Sequence, residues 1–362
     1  MKKILVLILI IILLSGNINF SENIYLSGNN YILMEEESGR ILVEKNAYEK
    51  MPMASTTKIM TALVAIELGN LDDYVEITEE SVGIIGSSIY LELGEKIKLE
   101  DLLYGLMLRS GNDSSVAIAV QISGSIDDFV KEMNKKAVDI GANYTNFSNP
   151  HGLHDDNHYS TPYDMALITR EAILNEKFST IWKSKSHTSN RHKNNYFVNK
   201  NKTLWQYQGG DGGKTGYTSD SGRCLVSTAK RNNMRLIAVS FNARDWFNDN
   251  YKLLNHGFEN YNLYSIYSRD QLLKKLKLEN GSKDNLLLVS EESFLYPLGK
   301  DELDSVKLSI DVTKEPFIPI SAGEQLGHVK TYLNEKIIRN DKLVVKYEVT
   351  KKPFYQRIKD IF

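Results

Sequence analysis

The 362-residue chain has a single cysteine, Cys224, so no intramolecular disulfide can form. A small domain stapled by disulfides is therefore excluded. Cys224 stands in an apolar run with Leu225 and Val226, which is typical of a small buried side chain rather than of a reactive thiol.

The chain also has no excess of charge, because 44 Lys and Arg residues balance 46 Asp and Glu residues. A nucleic-acid-binding domain needs a basic surface, so we expect no nucleic-acid partner. No glycine-rich phosphate-binding loop is present, and we expect no nucleotide or other cofactor. With 42% hydrophobic and 25% charged residues, the composition is that of a folded protein, and its length favours two domains.

A long apolar run is missing as well. The apolar stretch at residues 4–14 has eleven residues, whereas a membrane-spanning helix needs about 20. Because Lys2 and Lys3 precede this stretch at the N-terminus, it predicts an export signal, which we place at residues 1–21 without assigning the cleavage site. We therefore expect an exported, extracytoplasmic or periplasmic protein.

The apolar pattern of residues 22–262 predicts one α+β domain. A strand hairpin at 31–34 and 41–43 opens it around a turn at Ser38-Gly39, and strands at 224–229 and 236–241 must rejoin this hairpin. Helical periodicity predicts the helices at 55–68, 99–108, 114–122, 126–140, 162–174 and 245–261.

The pattern changes near residue 263. Short alternating strands at 286–289, 306–312 and 343–349 predict a small all-β domain over residues 263–350. The final residues, 351–362, are basic and place Phe354, Ile358, Ile361 and Phe362 at helical spacing. This tail favours an amphipathic anchor on the outer face of the cytoplasmic membrane.

The first chemical motif is Ser55-x-x-Lys58 at the start of a predicted helix. Residues three apart share one helix face, so the Lys58 amine can reach the Ser55 hydroxyl. A serine hydroxyl is a weak nucleophile until a base takes its proton, and a lysine kept neutral by burial can be that base. The same spacing at Ser227 and Lys230 lies in a strand pattern, which points the two side chains to opposite faces.

Two further motifs complete the set. Ser110-Gly111-Asn112 lies between two predicted helices, whereas the two other Ser-Gly-Asn copies lie in the signal and near the mature N-terminus. Lys214-Thr215-Gly216 occurs once, before strand patterns, and offers a positive charge and a hydroxyl that suit a substrate carboxylate. The order Ser-x-x-Lys, Ser-x-Asn, Lys-Thr-Gly is the motif set of penicillin-binding proteins and class A β-lactamases.

With these motifs the chain resembles the low-molecular-mass penicillin-binding proteins, the D-Ala-D-Ala carboxypeptidases of serine peptidase family S11. The resemblance runs from about Asn30 to Thr350 and includes His151-Gly152-Leu153, Asp164-Met165-Ala166 and the stretch 234–237. It implies a transpeptidase-type α+β domain, a small β domain, and removal of the terminal D-alanine from peptidoglycan stem peptides. β-Lactam antibiotics are the implied covalent inhibitors.

The resemblance also implies a role for each motif residue. Ser55 would be acylated, Lys58 would be its base and Ser110 would relay a proton to the departing D-alanine. Asn112 would hold the substrate amide, Lys214 would tune the charge and Thr215 would bind the terminal carboxylate. In the strand after Lys214, Gly216 and Tyr217 would border the substrate, and the Ser55 and Tyr217 N–H groups would form the oxyanion hole.

The chain departs from some members of the family at two positions. Tyr163 and Trp246 stand where those members carry arginines, although Arg244 is close to the second position. The arginine that would assist carboxylate binding is therefore not assigned.

Other functions remain to be weighed against this one. His151, His154 and His158 lack the spacing of a zinc peptidase, and we expect no metal site. A class A β-lactamase needs a deacylating glutamate between the second and third motifs, and Glu171 is the only glutamate between residues 142 and 172. The additional β domain argues against a β-lactamase. A DD-endopeptidase of the same family and a catalytically silent wall-binding scaffold stay open as alternatives.

Overall fold

In the computed structural model, residues 24–279 and 281–352 are described. The predicted export signal and residues 353–362 of the predicted tail lie outside the described residues.

The described residues form sixteen strands, which we number in chain order. Their bounds are β1 Asn30–Glu35, β2 Ile41–Lys45, β3 Tyr74–Glu76, β4 Lys96–Lys98, β5 Ser186–Thr188, β6 Tyr196–Val198, β7 Gly210–Thr218, β8 Gly222–Arg231, β9 Met234–Phe241, β10 Tyr261–Tyr267, β11 Leu272–Lys277, β12 Asn285–Ser290, β13 Phe294–Gly299, β14 Val306–Val312, β15 Gln325–Leu333 and β16 Lys336–Val345.

Eight α-helices are found in the same part of the chain. Their bounds are α1 Lys58–Leu68, α2 Leu99–Tyr104, α3 Asn112–Ser123, α4 Ile126–Asp139, α5 Pro162–Leu174, α6 Glu176–Lys183, α7 Thr203–Gln206 and α8 Trp246–Asn260. Three 3-10 turns, Ala54–Thr57, Glu79–Ser81 and Lys300–Ser305, and one π-helical segment, Gly105–Arg109, complete the helical elements.

A five-stranded antiparallel sheet in the order β2-β1-β9-β8-β7 is the centre of the first domain. Strand β1 pairs with β2 and also with β9, so the late strands do rejoin the opening hairpin, as predicted. Both faces of this sheet are covered. Ile32 belongs to the larger core under α1 and α5, whereas its neighbour Leu33 belongs to a second core against α8.

The predicted helices are confirmed with shifted ends. Residues 54–57 form a 3-10 turn, so the first α-helix begins at Lys58 rather than at Ser55. The helix predicted to 108 ends at Tyr104 and continues as the π-helical segment to Arg109. Helix α3 begins at Asn112, two residues earlier than predicted, because Gly111 is its N-cap.

The C-terminal part of the described chain is all β, as predicted. Strands β11, β12, β16, β15 and β14 form one sheet, and β10 and β13 form a two-stranded sheet. The strand predicted at 343–349 was wrong at both ends, because β16 runs from Lys336 to Val345 and Val349 makes only an isolated bridge to Ile320. Polar side chains on the exposed face of β16 hide its first half from a hydrophobic pattern.

Arg40, in the turn between β1 and β2, joins the two parts of the molecule. Its guanidinium donates to both Glu302 carboxylate oxygens and lies over the rings of Tyr261 and Tyr296. Across residues 24–279 and 281–352, we find no helix with the length and apolar character needed to cross a bilayer.

Candidate active site

Ser55 lies in the 3-10 turn that precedes α1, in a strained and crowded backbone. Ala54 has φ 48°, a left-handed value that is uncommon for any residue except glycine. Two glycines make room for this turn. A Cβ on Gly216 would lie 2.9 Å from the Ser55 nitrogen, and a Cβ on Gly152 would collide with the Ala54 carbonyl oxygen. Strand β7 and the 149–153 loop therefore pack closely against the turn on two sides.

Lys58, one turn after Ser55, is completely buried. Its Nζ lies 3.0 Å from Ser55 Oγ, 2.8 Å from Asn112 Oδ1 and 2.5 Å from the His151 carbonyl oxygen. The last two atoms can only accept hydrogen bonds. In its neutral form the amine has two hydrogens to donate to Asn112 and His151 and a lone pair that can accept from the Ser55 hydroxyl.

Burial favours the neutral form of the Lys58 amine. Removal from water holds the Lys58 pKa well below its usual value of 10.5, and the positive charge of Lys214 lowers it further. The carboxylate of Asp113 acts in the opposite direction but is the smallest of the three influences.

Ser110 and Lys214 meet on the other side of the site. Ser110 adopts the left-handed conformation, φ 64°, between the π-helical segment and Gly111. Its Oγ accepts a hydrogen bond of 2.9 Å from Lys214 Nζ, which also donates to the Thr215 carbonyl at 2.8 Å. Burial lowers the pKa of Lys214 to about 7, and the nearby charge of Lys200 contributes.

The amide of Asn112 is fixed at both ends. Its Nδ2 donates to the Ile85 carbonyl oxygen at 2.6 Å, and its Oδ1 accepts from Lys58. Since a carbonyl can only accept, the Ile85 oxygen decides which end of the amide faces Lys58. The structure therefore brings together Ser55, Lys58, Ser110, Asn112 and Lys214, as the motifs predict.

The remaining predicted residues lie along β7, which forms one edge of the sheet opposite β2. Thr215 is half-buried, Gly216 is buried and the side chain of Tyr217 is 66% exposed. An edge strand presents unpaired backbone groups along its outer side. Because Gly216 closes on the Ser55 turn, a peptide lying along this edge would pass the Ser55 hydroxyl.

The second Ser-x-x-Lys copy does not form such a site. Ser227 and Lys230 both lie in β8, where Ser227 is buried and bonded to Thr203 Oγ1 and Asn250 Nδ2. The Lys230 side chain is exposed on the other face. Strand geometry separates the pair, as predicted.

The 149–158 segment makes contacts with the Ser55 turn and Lys58 that the sequence did not indicate. The motif analysis gave no role to the His151 carbonyl, to Gly152 or to His158, yet all three contact the turn of Ser55 and Lys58. His158 accepts from the Ser148 N–H at Nδ1 and lies 2.8 Å from Thr57 Oγ1, which donates to the Ala54 carbonyl. Nδ1 is thus unprotonated and the ring is neutral.

Burial fits this neutral state, because it lowers the pKa of His158 to about 4. The pKa of His151 falls to about 3 through burial and the nearby Lys58. The three histidines of this segment do not converge, since His154 is turned towards Asp156 and Asp220. Within the described ranges, no three metal-binding side chains come together.

Two other predictions concern single residues. Cys224 is buried and its pKa is raised to about 12, so it is the inert side chain that was expected. Arg244 is exposed, and its carbonyl accepts from Arg223, whose guanidinium lies over Trp246.

Comparison with known proteins gives two family matches. Residues 19–245 match the peptidase S11 family, described as D-alanyl-D-alanine carboxypeptidase. Residues 261–351 match the C-terminal domain of penicillin-binding protein 5.

Individual relatives agree along nearly the whole chain. The D-alanyl-D-alanine carboxypeptidase DacF of Bacillus subtilis is 36% identical over 341 residues, which cover 91% of this chain and 87% of the relative. The carboxypeptidase DacC of Escherichia coli is 32% identical over 348 residues, with 91% and 86% covered. Penicillin-binding protein 5 of Haemophilus influenzae superposes with a TM-score of 0.78 at 30% identity over 90% of this chain and 98% of that one. The chain belongs to the peptidase S11 family of D-alanyl-D-alanine carboxypeptidases.

Proposed function

We propose that this carboxypeptidase removes the terminal D-alanine from peptidoglycan pentapeptide stems through an acyl-enzyme on Ser55. The observation that carries the proposal is the contact between the Ser55 hydroxyl and the Lys58 amine. Lys58 is fully buried, and its two other neighbours can only accept hydrogen bonds. A serine with a neutral amine at hydrogen-bond distance is an activated nucleophile.

In the acylation step, Ser55 Oγ attacks the carbonyl carbon of the penultimate D-alanine while its proton passes to Lys58 Nζ. The negative charge that develops on the carbonyl oxygen is stabilised by the backbone N–H groups of Ser55 and Tyr217. Gly216 supports this role, because its missing side chain allows β7 to approach the Ser55 nitrogen.

The bond between the two D-alanines then breaks. Ser110, hydrogen-bonded to Lys214, relays the proton that Lys58 took from Ser55 to the leaving amine, so Lys58 is neutral again, and Asn112 holds the amide of the acyl part. A water molecule next attacks the ester, again giving a proton to Lys58, and the shortened stem leaves while Ser55 regains its hydrogen.

Thr215 and Lys214 bind the free carboxylate of the substrate and so make the enzyme an exopeptidase. The support is chemical: Lys214 supplies a cation on β7, and Thr215, the next residue of the strand, is half-buried and supplies a hydroxyl. A pentapeptide ending in D-Ala-D-Ala and its C-terminal amide test this. We expect D-alanine release from the acid and strongly reduced cleavage of the amide, because a buried cationic site would lose its partner. Equal cleavage of both would favour an endopeptidase.

β-Lactams are proposed as covalent inhibitors that acylate the same serine. The proposed organisation is a peptidase domain at 22–262 and a β domain at 263–350. Residues 1–21 would direct export, and the basic tail 351–362 would hold the protein at the outer face of the cytoplasmic membrane.

The tail is tested with the protein starting after the signal. Sedimentation with anionic vesicles should decrease when residues 351–362 are deleted, and binding should weaken with salt because Lys351, Lys352, Arg357 and Lys359 supply the attraction. Equal sedimentation of both proteins would show that the tail is not an anchor.

A further inference from the structure

The loop at residues 84–92, which we call the 84–92 loop, forms one wall of the site. Its Ile85 carbonyl accepts from Asn112 Nδ2, and its Ser87 carbonyl accepts from the Asn112 backbone N–H at 2.7 Å. Gly86, with φ 95°, has space for no side chain, because a Cβ there would lie 2.8 Å from Asn112 Nδ2. The orientation of the Asn112 amide thus depends on where this loop lies.

Two buried charged residues bind the loop: Asp113 accepts hydrogen bonds from it, and Arg191 donates hydrogen bonds to it. The carboxylate of Asp113 accepts from Ser88 Oγ at 2.6 Å and from the N–H groups of Ile89 and Leu91 at 3.1 Å. Arg191 donates to the carbonyl oxygens of Ile89 at 2.7 Å and Tyr90 at 2.8 Å.

Arg191 is itself held in place. It lies in the hairpin between β5 and β6 and makes two hydrogen bonds, 2.7 and 3.0 Å, to the carboxylate of Glu95. Its side chain is only 3% exposed. The same hairpin is tied to α2 by His187, whose Nε2 lies 2.5 Å from Asp101 Oδ1. A planar guanidinium can reach both carbonyls and the carboxylate together, which a lysine ammonium cannot do.

We propose that Arg191 is a positioning residue for the reaction: it holds the 84–92 loop so that the Ile85 carbonyl orients the Asn112 amide towards Lys58 and the substrate. Arg191 touches none of the reacting groups in this arrangement. Arg191 acts through the peptide groups of Ile89 and Tyr90. This proposal rests on the role proposed above for Asn112. Without Arg191, the 84–92 loop keeps the Asp113 contacts but loses its outer support.

The test is the rate at which penicillin acylates Ser55 in Arg191→Lys, measured per active site by mass spectrometry over time. Arg40→Lys is the matched control, because Arg40 also makes a bidentate, largely buried pair with a glutamate but lies in the β1–β2 turn. We expect acylation of R191K to slow by about tenfold or more, since a shift of about 1 Å in a catalytic group can cost a hundredfold. R40K should acylate at the wild-type rate.

A purely structural role would lower the melting temperature or the labelled fraction of R191K without changing the rate at each site, and that result would overturn the proposal. Glu95→Gln is a second variant, milder for folding, that should slow acylation in the same direction. If both variants acylate as fast as wild type, Arg191 has no positioning role. If wild type itself leaves Ser55 unlabelled, the proposed function fails instead.

The pathway through Asn112 is tested in a double-mutant cycle. In an Asn112→Ala background the amide is gone, so Arg191→Lys should change the acylation rate by less than about twofold. If Arg191→Lys slows that background as much as it slows wild type, its effect does not pass through Asn112.

Discussion

Gly152→Ala should separate the geometry of the Ser55 turn from general stability. Gly152 has φ 87°, and an added Cβ would collide with the Ala54 carbonyl oxygen and lie 2.9 Å from Thr57 Oγ1. Ordinary contacts begin near 3.4 Å, so the overlap with Ala54 exceeds about 1 Å and the turn must move. Because displacement of a catalytic group by about 1 Å can cost a hundredfold in rate, we expect acylation of Ser55 to slow by about that factor.

The matched control is Gly141→Ala. Gly141 has φ 82°, almost the same strained backbone, but a Cβ there would meet nothing within 4 Å. Both variants should lose about 1–3 kcal/mol of stability through backbone strain, measured as the free energy of unfolding, and G152A should lose more because its Cβ also collides with Ala54. Penicillin acylation, followed by mass spectrometry, should be slow only in G152A. Equal acylation rates in the two variants would refute the view that Gly152 positions Ser55.

Two further predictions follow from pKa values. The kcat/KM for a D-Ala-D-Ala peptide should decrease as pH rises through about 7, because Lys214 then loses the charge that attracts the carboxylate. Lys200→Gln removes a neighbouring positive charge, so the pKa of Lys214 should rise and the decrease should move to higher pH. A pH profile that does not move in Lys200→Gln would contradict this role of Lys200. His158 has a pKa of about 4 in the folded protein against 6.5 for an ordinary histidine, so the unfolded chain binds more protons between these values and stability should decrease as pH falls from 6.5 towards 4. The loss is at most about 3 kcal/mol, and His158→Gln should reduce the pH dependence of the melting temperature; an unchanged slope would show that His158 is not its source.

The sequence predicted the local part of the site and the pattern of the central sheet. Ser55 and Lys58 meet because three residues span one helical turn, which is a property of the chain itself. The rejoining of β9 to β1 was predicted because the chain runs from a strand hairpin through helices to further strands, and one compact domain must take both sets of strands into the same sheet.

Contacts between distant segments were outside the reach of such patterns. Ser110 and Lys214 are 104 residues apart, and only the resemblance to a family connected them. The carbonyl of His151 could not be predicted as a partner of Lys58, because every residue has a carbonyl and no side-chain type marks this one. The same holds for the Ile85 carbonyl that orients Asn112. Gly152 alone carried a signal, since a glycine can accept the positive φ and close contact found there.

The most direct test of the account is covalent labelling of the protein without residues 1–21 by penicillin, with the adduct located by peptide mass spectrometry. We expect one adduct per molecule, on Ser55, no adduct in Ser55→Ala, and full labelling in Ser227→Ala, whose strand keeps Lys230 away from the hydroxyl. Ser55→Ala should melt close to the wild-type temperature, which shows that the loss of labelling is chemical. Labelling that survives in Ser55→Ala, or an unlabelled wild-type protein, would contradict the assignment of Ser55 as the nucleophile.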